Sequence, residues 1–119
     1  MSWYLTKIVY QIICGDGNHK PQFDEQLRLI EANDEQEAFQ KAQRIGRMEQ
    51  ESFFNIKQQM VKWNFIDVCE IYKLNEMIDG AELYSRVQEA DNAASYIEMV
   101  RHKADYLQTD TILRSLQLI

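Results

Sequence analysis

The chain has 119 residues, 45% of them hydrophobic, with 13 Lys and Arg against 19 Asp and Glu for a net charge of −6. That length supports one domain able to bury roughly two thirds of its unfolded surface without a staple, and the acidic balance argues against a surface built to grip nucleic-acid phosphates. No run approaches the ~18 apolar residues of a membrane span, Met1 to Lys7 lack the basic segment and long apolar core of a leader, and two cysteines make no disulfide framework. The expectation is a reduced, cytoplasmic protein.

Residues 3–14 are β-branched and aromatic and free of Gly and Pro, which predicts a strand. Trp3, Leu5, Val9 and Ile13 take one face and Tyr4, Ile8, Tyr10, Ile12 and Cys14 the other. Both faces are apolar, as in a central strand covered twice. After a turn at Asp16-Gly17, residues 23–31 set Phe23, Leu27 and Leu29 against Asp24, Gln26 and Arg28, the pattern of an outer strand with one wet face.

Asn33, ahead of Asp34-Glu35-Gln36, reads as the cap of a helix in an Asn-x-x-Gln box, and Ala38, Ala42 and Ile45 form its buried stripe. Phe53, Phe54 and Ile56 fall in a Gln-rich connector that tucks onto the sheet. Residues 63–74 repeat the first run, with Trp63, Phe65, Cys69 and Ile71 opposed to Ile66, Val68, Tyr72 and Leu74. Past Asp79-Gly80, residues 81–88 alternate like the second run, and Asp91 caps a helix whose seam is Ala93, Ile97, Val100, Ala104 and Leu107. Residues 108–119 form an apolar tail to a single domain over 1–107.

The two Trp-led runs lie sixty residues apart and share one plan, so the expected fold is α+β, a duplicated β-β-α-β-β-α unit. Its four-stranded, mainly antiparallel sheet has the Trp-led strands in the middle and both helices on one face. That arrangement leaves the other face apolar and open, which soluble monomers rarely tolerate. Tyr4, Ile8, Tyr10, Ile12, Ile66, Val68 and Tyr72 are the residues expected there, and a second copy of the chain is the preferred cover. The apolar tail or a ligand are the other candidates.

The loop from Cys14 to Glu25 holds the densest polar run. Its Asp16, Asn18 and Asp24 offer oxygens, Cys14 and His19 offer softer donors, and two glycines permit φ > 0. The spacing fits neither a calcium loop nor a zinc set, and a hairpin turn explains the same residues. Cys14 with His19 is the only nearby nucleophile–base pair, and a thiol inside a strand is inert. Lys41, Arg44 and Arg47 make a basic stripe that a solvated helix face explains equally well. The strand aromatics serve as core or interface anchors without a cofactor, although they leave room for a small-molecule pocket.

With its Trp-Tyr-Leu strand, its Ile-Cys-Gly-Asp-Gly-Asn-His loop and the Pro-Gln-Phe-Asp-Glu-Gln-Leu-Arg-Leu-Ile that follows, the chain resembles a family of short bacterial proteins catalogued as a domain of unknown function. The likeness runs from Trp3 through residues 79–86 into the second helix. It implies a fold and no activity, substrate or cofactor. The functional expectation is a non-enzymatic, self-associating interaction module, a homodimer through the second sheet face. The rival is a small-ligand or metal-binding protein that uses the loop at 14–25.

Overall fold

A computed structural model describes residues 1–117. The elements are β1 (Ser2–Cys14), β2 (Gln22–Ala32), α1 (Glu35–Met48), β3 (Glu51–Phe54), β4 (Met60–Leu74) and α2 (Ala93–Gln117). The chain divides into two compact units, Met1–Ser85 and a second that begins at Arg86.

The first unit is one antiparallel sheet in the order β2-β1-β4-β3, with α1 packed on one face. The class is α+β, and the two Trp-led strands are central, as their doubly apolar pattern requires. β1 and β2 pair without a break from Ser2↔Ala32 to Ile12↔Gln22. Between β1 and β4 the register shifts twice, at Lys7/Ile8 and at Val9/Tyr10, so β4 contributes extra residues there and coils more strongly.

Tyr4, Ile8 and Tyr10 of β1, Ile30 and Ala32 of β2, Val68 of β4, and Ala38 and Ala42 of α1 form the core. The two alanines let the helix backbone approach the sheet. Tyr10 stays inside because its hydroxyl donates to the Gly46 carbonyl at 2.8 Å, and Thr6 likewise donates to the Arg28 carbonyl at 3.1 Å. Burial, with the Glu49 carboxylate nearby, holds the Tyr10 phenol above its ordinary value.

Both helix caps fall one residue later than the sequence pattern suggests. Asp34, extended at φ −150°, accepts from the Glu37 N–H at 2.8 Å, while Asn33 reaches the Glu37 carboxylate from outside. The box is therefore Asp-x-x-Glu, a charged acceptor against the positive helix end. In the second unit Asn92, not Asp91, caps α2 through the Ser95 N–H at 2.9 Å. That helix continues without interruption through residues 108–117 and buries none of its own side chains; Leu118 and Ile119 lie outside the described residues.

The largest difference from expectation concerns the outer strands. Residues 81–88 form no ladder, and the place beside β4 goes to the four-residue β3, drawn from the Gln-rich connector. Phe53 stacks on Trp63 with ring centroids 5.9 Å apart, and Asn55 closes the hairpin by accepting from the Lys57 and Gln59 N–H groups. The 75–85 segment instead returns across the sheet face away from α1, with Tyr84 edge-on to Tyr72 at 5.5 Å. The second half thus has one strand, β4, before its helix where the first half has two, and among the described residues the two halves do not form matching β-β-α units.

Gly46 gives the packing a sharp test. A β-carbon there would stand 2.6 Å from Phe65 Cδ1 and nearer still to Cε1, and that ring is held edge-on by Tyr10 with the Arg47 guanidinium over it. Ala in place of Gly favours a helix by about 1 kcal/mol, but overpacking costs about 1–3 kcal/mol. Gly46→Ala is therefore expected to lower the urea midpoint at unchanged slope, a net loss of about 1 kcal/mol. An unchanged or higher midpoint would mean that the ring moves aside freely.

Candidate functional site

Four of the residues expected on an open face lie beneath α1. Tyr4, Ile8, Tyr10 and Val68 are all buried and belong to the helix-covered core, so they cannot meet a second copy while the helix is seated. Ile12 is half-buried on the same side, opposite Trp63 in the register. Tyr72 and Ile66 fall on the other face, the first opposite Leu5 and the second next to Phe65 in the pleat. The parity along β1 was readable, but which parity faces the helix depends on β2, whose Ile30 lies opposite Tyr4.

This register has a consequence for β2. Its even residues, Asp24, Gln26 and Arg28, lie on the α1 side, and its odd residues Phe23, Leu27 and Leu29 lie on the face opposite α1. Those three are 55%, 52% and 44% exposed, and Ile66 is 51%. Towards the other end of the same face Leu5 and Leu74 are buried. There Lys7 bridges Glu70 at 3.0 Å, which holds the ammonium above its ordinary value, and burial followed by a hydrogen bond to Glu70 does the same to the Tyr72 phenol. The returning 81–85 segment and the end of β4 also line a cavity of about 590 Å³.

The even face of β2 carries a polar ladder where α1 ends. Gln26 donates to Asp24 Oδ2 at 2.7 Å, Arg28 donates to Gln26 Oε1 from both Nε and Nη2, and Arg28 Nη2 also bridges Glu49 at 2.6 Å. The Trp63 indole N–H reaches across to Asp24 Oδ2 at 3.1 Å. Asp24 thus leaves the loop with which the sequence groups it and joins a network over two strands and a helix end, beside a cavity of about 500 Å³.

The remaining loop residues are taken up by the turn itself. The Cys14 N–H donates to His19 Nε2 at 3.0 Å, and His19 Nδ1 pairs with the Lys20 carbonyl at 2.9 Å, the pattern of the tautomer that carries its proton on Nδ1. Asp16 accepts from the Asn18 N–H in an Asx turn, with Gly17 at φ +80°. The Cys14 thiol lies 3.4 Å from Gln59 Oε1 and 3.6 Å from Asn55 Nδ2, tying this loop to the β3–β4 hairpin. Among the described residues no three His, Cys, Asp or Glu side chains converge as a metal site would require.

The basic stripe of α1 is likewise engaged. Lys41 donates to the Glu31 carbonyl at 2.8 Å and Arg47 covers Phe65 at 5.8 Å, while Arg44 makes no such contact among the described residues. Among the described residues, no helix is long and apolar enough to cross a membrane.

Residues 3–85 match the family model described as domain of unknown function DUF4288. The chain belongs to that family. No curated protein and no solved structure matches the chain. The matched stretch ends at Ser85, where the first compact unit ends, so α2 lies outside the part that defines a DUF4288 domain, although the sequence likeness had been expected to reach it. The uncovered apolar strip, the Asp24 ladder and the engaged loop all belong to the family domain.

Phe23, Leu27, Leu29 and Arg28 were absent from the sequence-based site. Their strict alternation was visible, but an apolar strand face is assigned by default to the core, and only the β1 register shows that here it faces outward.

Asp67 provides a pH test of the helix–sheet contact. Hydrogen bonds from Gln43 at 3.0 Å and from the Val68 N–H at 2.8 Å hold its carboxyl below the ordinary aspartate value of about 3.9. A depressed folded-state value means that its contribution to stability is fully present above the unfolded value and is lost as pH falls through the lower, folded one. Carboxyl NMR should show Asp67 titrating below ordinary aspartate and Gln43→Ala moving it upward. Ordinary titration in both proteins would remove the contact.

Proposed function

We propose that this DUF4288 protein is a non-enzymatic, cytoplasmic interaction module that self-associates through the sheet face left bare by α1. The observation that supports this is the cluster of Phe23, Leu27, Leu29 and Ile66, each about half exposed on one face. Several half-exposed apolar side chains on one sheet face are what monomers seldom leave open unless they are used. Removing each of these side chains from water contributes on the order of 1 kcal/mol, so a handful supports a reversible homodimer once the cost of association is met.

A small-ligand role for the loop is less well supported. His19 and Asp16 already bond within the turn and the Cys14 thiol bonds to Gln59 of the next hairpin, so a ligand would have to displace native hydrogen bonds there. The apolar patch needs no rearrangement.

Light scattering coupled to size exclusion is the direct test. The wild-type chain is expected at twice its 14.1 kDa at tens of micromolar, and Leu27→Glu, which places a charge in the patch without touching the core, at the single-chain mass. A wild-type protein that stays at single-chain mass up to millimolar concentration would overturn the reading.

A further inference from the structure

The two edges of the sheet are built differently. Beyond the four rungs of β3, β4 has two register shifts, and two of its backbone N–H groups are answered by side chains: Phe65 by Gln50 Oε1 at 2.9 Å and Val68 by Asp67 Oδ1 at 2.8 Å. Bulges and side-chain caps are the devices that keep an edge from pairing. β2 has neither. It is eleven residues long, its register with β1 is unbroken, and no strand lies on its other side among the described residues.

We propose that the second copy in the self-associating protein docks on this edge, β2 against β2 of the partner subunit, antiparallel about a two-fold axis at Gln26, joining two four-stranded sheets into one of eight. This rests on the self-association argued above and moves its contact from the bare face to the edge: each side chain keeps its face, so the two apolar strips lie side by side on one face of the joined sheet and cover each other only where they meet. The apolar strip alone falls short of the ~800 Å² per partner of a standard interface, and an edge ladder supplies main-chain hydrogen bonds in addition.

The register follows from charge. When a strand pairs with itself about a two-fold axis, each side chain keeps its face, so the axis passes through a residue. An axis at Glu25 sets that carboxylate against itself. One at Arg28 opposes two guanidiniums and also sets Glu25 against Glu31 of the partner subunit. One at Leu27 brings no opposite charges together. Only at Gln26 does Asp24 meet Arg28 of the partner subunit, twice by symmetry, with Phe23 beside Leu29 of the partner subunit on the uncovered face and Glu25 beside Leu27 of the partner subunit.

Both charged groups have capacity left for this pairing. Among the described residues Asp24 uses Oδ2 for Gln26 and Trp63, which leaves Oδ1, and Arg28 uses Nε and Nη2, which leaves Nη1. The in-strand ladder holds the two side chains extended along the edge. Directly opposed charges of unlike sign stabilise an antiparallel pair, and like charges destabilise it.

Charge exchange tests the register. Asp24→Arg alone and Arg28→Asp alone each oppose like charges and are expected to weaken the dimer at least about tenfold, as read by sedimentation. Mixed one to one, the two variants should regain dimer mass, because one chain brings two arginines and the other two aspartates. Independently, Gln26→Cys in a Cys14→Ser, Cys69→Ser background should form a disulfide between copies under mild oxidation, since opposed residues stand about 4.5–5.5 Å apart, whereas Glu25→Cys should not. A wild-type dimer that shows neither recovery on mixing nor the Gln26 cross-link would overturn this register and leave self-association standing. A wild-type monomer would overturn both.

Discussion

A single β layer has two faces, and a strand that is apolar on both requires cover on both. Within the first unit one helix, α1, covers one face. β1 and β4 are central and doubly apolar, α1 lies on the side of Tyr4, Ile8, Tyr10 and Val68, and the opposite face depends on whatever else the chain can bring. The 75–85 segment, with Tyr84 on Tyr72, reaches the region of Leu5 and Leu74, which are buried. Within the first unit the β2 end has no such cover, and there Phe23, Leu27 and Leu29 are exposed.

The polar groups arrange themselves around the same constraint. At the end of α1 the sheet would otherwise present open backbone and aromatic edges, and the ladder from Asp24 through Gln26 and Arg28 to Glu49 fills that position. Trp63 joins it through its indole N–H, so an aromatic ring that stacks on Phe53 also satisfies its one polar atom. The loop between β1 and β2 closes on itself through His19 and Asp16 and is fastened to the next hairpin by Cys14. Reactive residue types serve here to hold loops together, and a substitution such as His19→Ala acts first on the turn.

Much of the fold was legible in the sequence. The doubly apolar runs at 3–14 and 63–74 marked central strands, and the alternation of 23–31 marked an edge, because burial on two faces and on one leaves different patterns. The helix starts were located to within one residue, since an Asn-Asp pair offers two adjacent caps and only the backbone angles choose between them. β3 was missed because four residues are too few for a period, and 81–88 was mistaken for a strand because alternation records amphipathic character without saying whether an edge is free to receive it. The Asp24 network was not legible at all, as Trp63 stands 39 residues away. Most instructive is the reversal at β1: the grouping of Tyr4, Ile8 and Tyr10 was right, yet their side of the sheet was fixed by pairing with β2, a long-range fact that no strand carries within itself.

The central proposal, that the β2 edge pairs with a second copy of the chain, is tested most directly by amide hydrogen exchange measured across protein concentration. β2 amides, those of Phe23, Glu25, Leu27 and Leu29 foremost, are expected to gain protection as concentration rises while those of β3 and α1 stay constant. Protection at β2 that is independent of concentration from low micromolar to millimolar would contradict the account, whatever its absolute level.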